Sequence, residues 1–140
     1  MTRLEWEQPV AIGRWVADRI GIEDSWGPHQ AVGQIRDDRL IAAVVYNRYS
    51  HPDICIHVAA VPDVRWMTRG FMHAVFHYPF LQLQVRRVTA VVAAKNVLIS
   101  TRFHERLGFK LEGYLRHALK DDDMYLFGML KSECRWLKEP

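Results

Sequence analysis

The stretch that decides the fold is residues 103–116, which read Phe-His-Glu-Arg-Leu-Gly-Phe-Lys-Leu-Glu-Gly-Tyr-Leu-Arg. Gly108 ends a helix, because glycine readily takes the left-handed conformation that closes a helix at its C′ position. Phe109 starts a strand at once, Gly113 bends that strand, and Arg116 follows. The run predicts a helix joined directly to a strand.

Length and composition predict a single domain over residues 1–140 of an ordinary soluble protein, with 49% hydrophobic and 25% charged residues. No apolar run approaches the ~20 residues that cross a bilayer, so no membrane association is expected. The N-terminal residues lack the apolar core of a secretory signal. Cys55 and Cys134 cannot form a disulfide framework. We therefore expect a reduced, cytoplasmic protein.

The net charge of +3 comes from scattered arginines, with no run of five or more like charges. Such a distribution argues against a nucleic-acid-binding tail. A modest positive balance suits a small polyanionic ligand.

Hydrophobic patterns predict strands and one helix in the first half of the chain. Pro9 suits the first helical turn and Gly21 the stop, with Val10, Trp15, Val16 and Ile20 as the apolar face. The predicted elements are a strand at 2–7, a helix at 9–20, strands at 31–36 and 40–49 around the turn 37–39, and a strand at 53–61.

The second half predicts a helix at 64–80, a strand at 87–94, a helix from Asn96 to Leu107, and a hairpin with strands 109–119 and 124–131. Residues 88–93 are nearly all apolar, which suits a strand covered on both faces. The fold class is therefore α/β in the broad sense (α+β), with a mixed sheet of six to seven strands and about three flanking helices.

Three pieces of this pattern resemble the GCN5-related N-acetyltransferase (GNAT) superfamily. They are the junction 60–70, which reads Ala-Val-Pro-Asp-Val-Arg-Trp-Met-Thr-Arg-Gly, the helix from Asn96 to Gly108-Phe109, and the run from Gly108 to Arg116 with Asp123 and Glu133 beyond it. The last piece is typical of the ribosomal-protein-alanine acetyltransferase-like branch, which includes small phage-encoded members.

The resemblance implies that acetyl-CoA is the co-substrate and that the 60–70 junction wraps its pyrophosphate. A helix N-terminus binds anions because its N–H groups are unpaired and its dipole end is positive. The implied contacts are Arg65, Trp66, Met67, Thr68, Arg69 and Gly70. The chain departs from the family pattern at Thr68, where glycine is usual, and at Ala60, where valine is usual.

The resemblance also implies a mostly antiparallel sheet that is splayed in the middle, between the strands at 53–61 and 87–94. Acetyl-CoA would fill the gap and pair with the edge Val58-Ala59-Ala60 as an added strand would. Asn96, Ser100 and Phe103 would contact it from the following helix. Asn96 also fits a plain helix N-cap, and Phe103 a plain core position.

His104 is the candidate general acid, because it stands where the family often has a tyrosine and because imidazole exchanges protons near neutral pH. A half-buried structural histidine is the alternative. His57 ranks first as general base, ahead of Tyr46 and Glu112. No residue set has the spacing of a metal site.

The resulting hypothesis is an acyltransferase that moves an acetyl group to a primary amine, either a protein N-terminus or a small molecule, by direct attack in a ternary complex. Whether the chain forms a homodimer is left open. Two alternatives are an acyl-CoA-binding module with weak or no catalysis, and a structural protein that keeps the fold for assembly.

Overall fold

A computed structural model describes the backbone of residues 1–138 and the side chains of residues 1–95 and 102–138. Its strands are β1 (Thr2–Glu5), β2 (His29–Arg36), β3 (Arg39–Asn47), β4 (Asp53–Ala60), β5 (Arg87–Ala93), β6 (Lys110–Leu119) and β7 (Asp122–Leu130). Its α-helices are α1 (Pro9–Ile20), α2 (Arg69–His77) and α3 (Val97–Leu107), with shorter turns at Tyr78–Gln82, Ala94–Asn96 and Lys131–Glu133.

The seven strands form one sheet in the order β1-β2-β3-β4-β5-β7-β6. Within the described residues, every neighbouring pair is antiparallel except β4 and β5, which run parallel. The predicted fold class, a mixed and mostly antiparallel sheet with three flanking helices, is therefore confirmed. The one parallel contact joins the amino-terminal halves of β4 and β5, so the two central strands run in the same direction.

The helices cover opposite faces of the sheet. Ile12 and Val16 of α1 pack with Ala43 on one face, whereas Phe71 of α2 and Leu107 of α3 belong to the core on the other face. No helix in residues 1–138 is long and apolar enough to span a bilayer. The two faces are thus closed by different helices, and this separation matters for the site described below.

The buried face of α1 differs from the prediction. Val10 is 64% exposed and Ile20 is 37% exposed, while Gly13 and Ala17 are buried. A Cβ at position 13 would lie 3.0 Å from the Trp26 ring, so small residues let the helix approach closely. The prediction relied on large apolar residues, whereas the face of α1 that packs on the sheet includes the small residues Gly13 and Ala17.

The predicted helix at 64–80 begins too early and does not anticipate the change of helix type at Tyr78. Residues 61–68 are not helical, and α2 begins after Thr68, whose hydroxyl accepts a hydrogen bond from the Phe71 N–H at 3.1 Å. After His77 the backbone widens into a π-helical turn at Tyr78–Gln82, which contains Pro79. Proline cannot donate the backbone hydrogen bond that would continue the helix.

The first hairpin turn is tighter than predicted. Arg36 pairs with Arg39, which leaves a two-residue turn in which Asp37 and Asp38 have φ of 53° and 63°. Two successive positive φ values define a type I′ turn, whose twist matches that of the strands.

Gly108 ends α3 as predicted. Its N–H donates to the Glu105 carbonyl at 3.0 Å, and the Phe109 N–H donates to the His104 carbonyl at 2.9 Å. This pair of bonds is the Schellman arrangement. Gly108 has φ of 111°, and Phe109 turns straight into the core with 2% exposure.

The C-terminal residues tie this corner to the rest of the fold. The Trp136 indole N–H donates to the Leu107 carbonyl at 2.8 Å, and the Trp136 carbonyl accepts from His73 Nδ1 at 3.0 Å. Glu133 pairs with Lys110 at 2.5 Å. We define residues 131–138 as the C-terminal strap, because it holds α2, α3 and β6 together.

A Gly108→Ala substitution should lower the free energy of unfolding by roughly 1–3 kcal/mol, since an L-residue at that φ is strained. Its Cβ would also meet the Met129 side chain at 3.3 Å. The control is Gly113→Ala, whose Cβ would make ordinary contacts at 3.8 Å. Urea unfolding of both variants measures the difference, and equal midpoints would contradict the assignment.

Candidate active site

The sheet opens between β4 and β5. Their parallel pairing stops at Ile56 and Ala90, whereas β4 continues to Ala60 and β5 to Ala93. Each strand keeps its other neighbour to its end, because β3 pairs with β4 as far as Ala60 and β7 with β5 as far as Ala93. A cleft therefore lies in the middle of the sheet, at the place that the resemblance implied.

The β4 wall of this cleft presents backbone groups without a strand partner. The Val61 N–H donates to the Ile41 carbonyl at 2.8 Å, and in an antiparallel ladder such bonded pairs alternate with unbonded pairs. In the β3–β4 register this places the peptide groups of Ala59 toward β3 and those of Val58 and Ala60 toward the cleft. An extended ligand could pair with Val58 and Ala60.

A cavity of about 420 Å³ lies at this opening and reaches both faces of the sheet. The α1 face contributes residues from the end of α1, the next loop, the end of β3 and the middle of β4, and the α3 face contributes Phe103 and His104. The two candidate catalytic histidines, His57 and His104, thus line one cavity from opposite faces.

His57 is held in one orientation by two neighbours. Its Nε2 lies 2.9 Å from Asn47 Oδ1, and its ring lies 4.6 Å from the Trp26 ring, centroid to centroid. The Asn47 amide nitrogen donates to the Trp26 carbonyl at 3.2 Å, so Oδ1 must be the acceptor for His57. In the neutral ring the proton is therefore on Nε2 and the lone pair is on Nδ1.

Burial lowers the pKa of His57 to about 4, and the positive charge of Arg48 lowers it further in the same direction. The imidazole is consequently neutral throughout the physiological range. Its Nδ1 lone pair makes no hydrogen bond within the described residues and is available to accept a proton.

His104 lies on the last turn of α3 and is 9% exposed. Its ring stacks on Phe127 at 4.9 Å and meets Phe109 edge-on at 5.5 Å. These contacts fix the ring at the cavity wall. The same position would accept another planar ring of similar size.

The N-terminus of α2 has the features of an anion site. Thr68 caps the helix through Phe71, and within the described residues the N–H groups of Arg69 and Gly70 make no hydrogen bond. A Cβ at position 70 would have nothing within 4 Å, so this helix end opens to solvent. Arg65 and Arg69 are exposed beside it.

Two side chains that the sequence did not single out hold this loop. Gln34 is fully buried and donates to the Trp66 carbonyl at 2.8 Å. Arg36 donates to the Arg65 carbonyl at 2.8 Å. They lie on β2, more than 25 residues away in the chain, so no local pattern could connect them to the loop.

The remaining predicted ligand contacts differ in outcome. Trp66 and Met67 pack partly buried against the core, and the Trp66 ring lies 5.6 Å from that of Phe103. Phe103 both packs there and lines the cavity. The side chains of Asn96 and Ser100 lie outside the described residues, so their roles stay predictions.

The other base candidates do not reach the cavity. Tyr46 is buried on the α2 face, and its hydroxyl donates to the Val75 carbonyl at 2.5 Å. Burial raises its pKa well above the usual value. Glu112 pairs with Arg87 at 2.7 Å, at the closed end of the β4–β5 contact. His57 is the candidate that the geometry retains.

Asn47 and Arg48 line the cavity but were not predicted from the sequence as catalytic or ligand-binding residues. Asn47 is a polar residue at the end of an apolar strand, which was the one signal that the sequence offered. Its burial is known only from the structure. Its link to Trp26 spans 21 residues and depends on the tertiary fold.

Comparisons with known proteins identify the fold of the chain through solved structures. The sequence matches no protein-family model and no curated protein. Among solved structures, mutant forms of the spermidine/spermine N-acetyltransferase SpeG from Vibrio cholerae superpose with a TM-score of 0.72 at 15% identity, over 94% of this chain and 96% of that one. A protein described as a probable acetyltransferase gives 0.71 at 17% identity, over 94% of each chain.

A further mutant of the Vibrio cholerae spermidine N-acetyltransferase SpeG gives a TM-score of 0.74 at 14% identity, over 98% of this chain and 96% of that one. The chain therefore has the GNAT fold of these acetyltransferases along almost its whole length.

The lowered pKa of the half-buried His57 predicts a loss of stability in acid. Above pH 6.5 the residue is neutral in both folded and unfolded chains. As pH falls, the unfolded chain binds a proton near 6.5 but the folded chain only near 4. Stability therefore falls across this window, by roughly 3 kcal/mol in total.

Urea unfolding at several pH values between 7 and 4 measures this loss, and the His57→Gln variant provides the comparison. The difference between the two pH profiles isolates His57, because the other titrating groups are common to both. Parallel profiles would contradict a depressed pKa.

Proposed function

We propose that the protein is an N-acetyltransferase that uses acetyl-CoA to acetylate a primary amine, on a protein N-terminus or a small molecule, by direct attack in a ternary complex. The observation that carries the proposal is the cavity in the split sheet, which His57 and His104 line from opposite faces. One histidine can then serve the amine while the other serves the departing thiol.

The described residues fit acetyl-CoA in two places. The cleft-facing peptide groups of Val58 and Ala60 suit an extended chain with amide groups, which is the chemistry of the pantetheine arm. The open N-terminus of α2, with Arg65 and Arg69 beside it, suits the diphosphate. Acetyl-CoA, when bound, supplies an acetyl group activated as a thioester.

His57 and His104 divide the proton transfers. As the amine nitrogen bonds to the acyl carbon, its extra proton passes to the Nδ1 lone pair of His57. As the carbon–sulfur bond breaks, His104 provides a proton to the sulfur. A base with a pKa of about 4 holds a proton weakly, so His57 passes it on to solvent and does not store it.

Cys55 supports direct attack over a covalent relay. The residue lines the cavity, but burial and the nearby Asp53 raise the pKa of its thiol. A neutral thiol is a poor nucleophile. A covalent acetyl intermediate on Cys55 is therefore not expected, and the amine attacks the thioester directly.

The finer parts of the proposal rest on sequence. The run from Gly108 to Arg116 supports the ribosomal-protein-alanine acetyltransferase-like branch and its small phage-encoded members. The proposal includes one catalytic domain over residues 1–140. It also includes a reduced, cytoplasmic setting, which the free thiols of Cys55 and Cys134 support.

Acetyl-CoA binding is the first test. At about 100 times its dissociation constant the ligand should stabilise the protein by about 2.7 kcal/mol, measured as a thermal shift. Gly70→Glu should weaken binding about fivefold or more, because like charges 4 Å apart repel by about 1 kcal/mol even in water.

Gly70→Gln is the matched control, since it has the same shape without the charge. Acetyl-pantetheine lacks the diphosphate and should bind Gly70→Glu and Gly70→Gln equally. If acetyl-CoA causes no shift in the unmodified protein, the proposal is wrong.

Turnover is the second test. His104→Phe keeps a planar ring against Phe127 but removes the proton donor, so kcat should fall roughly 100-fold. His104→Tyr should recover much of the loss, while acetyl-CoA binding stays similar in both variants. Thiol release with an amine panel measures kcat.

Full turnover of His104→Phe across pH 6–9 would remove His104 from the mechanism. Binding of acetyl-CoA without thiol release for any amine would favour the acyl-CoA-binding module.

A further inference from the structure

We propose that Arg48 is a carboxylate-binding residue on the acceptor side of the cavity, so that the acceptor is a free amino acid with an apolar side chain. This inference rests on the proposed transferase function and names its substrate class.

Arg48 stands beside the candidate base. It directly follows Asn47, the residue that orients His57, and both line the cavity. Its φ of 55° lies in the left-handed region, which arginine seldom adopts. This backbone conformation starts the β3–β4 loop at the cavity wall, on the α1 face of the sheet.

The guanidinium of Arg48 makes no ion pair within the described residues, whereas those of Arg3, Arg14 and Arg87 each contact a carboxylate. Its charge nevertheless acts on the cavity residues, because it adds to the lowering of the His57 pKa and opposes the rise that burial and Asp53 cause in the pKa of Cys55. An unpaired guanidinium beside the reacting amine is suited to a carboxylate of the substrate.

The diphosphate of the co-substrate is not the partner of Arg48. Asn47 lies opposite Cys55, near the start of β4, while α2 begins beyond the end of that strand. The five residue steps from Cys55 to Ala60 alone span about 16 Å of strand. One diphosphate cannot contact both α2 and Arg48.

The composition of the cavity wall excludes a polyamine. Glu23 is its one carboxylate among the described residues, and Arg48 balances that charge. A polyamine carries several positive charges and needs several carboxylates. The other side chains on this side include Ile20, Ile22 and Trp26, which suit an apolar group. The acceptor class therefore differs from the spermidine named for the SpeG structures.

The test compares leucine as acceptor with three other amines. They are leucinamide, which stands in for a peptide N-terminus, 3-methylbutylamine, which lacks the carboxyl group, and spermidine. The kcat/KM for leucine should exceed each of the others at least tenfold. Arg48→Gln should lower kcat/KM for leucine about tenfold or more and remove its advantage over leucinamide.

Arg39→Gln is the control, because it makes the same charge change at the opposite end of β3 and should leave the preference intact. Equal rates for leucine and leucinamide, or an equal loss for both in Arg48→Gln, would overturn the proposal.

Calorimetry with N-acetyl-leucine tests the subsite without turnover. Binding that Arg48→Gln removes and Arg39→Gln retains supports the carboxylate site, even in a protein that releases no thiol, in which case only the transferase function fails. Absence of binding to the unmodified protein would overturn the carboxylate site.

Discussion

The site depends on the point at which β4 and β5 stop pairing. Two central strands that part leave backbone groups exposed inside the sheet, and unpaired backbone groups cost free energy wherever water cannot reach them. The gap persists because β3 holds β4 to Ala60 and β7 holds β5 to Ala93. The fold thus presents a strand edge in its interior, which a ligand can complete.

The sheet also separates the two halves of the proposed reaction. His57 is fixed from the α1 face through Asn47 and Trp26, and His104 is fixed from the α3 face through Phe127. Each histidine therefore belongs to a different packing layer. Solved acetyltransferases share this architecture at TM-scores of 0.71 to 0.74 with only 14–17% identity, so the strand arrangement is retained while side chains vary.

The sequence predicted features set by local chemistry. Pro9 and Gly21 marked the bounds of α1, and Gly108 marked the end of α3, because each residue type has a specific backbone preference. Features that depend on tertiary contacts could not be predicted from the sequence. The α1 face was misjudged because Gly13 packs against Trp26, and Gln34, Asn47 and Arg48 reach the site from distant strands or their ends.

The C-terminal strap has a mechanical consequence. Trp136 holds the last carbonyl of α3 with its indole and a histidine of α2 with its own carbonyl. Trp136 therefore joins the helix that would bind the diphosphate to the helix that carries His104, so a displacement of this residue would shift both helices. A substitution in the strap would therefore alter the contacts of the co-substrate at two places, the phosphates and the sulfur.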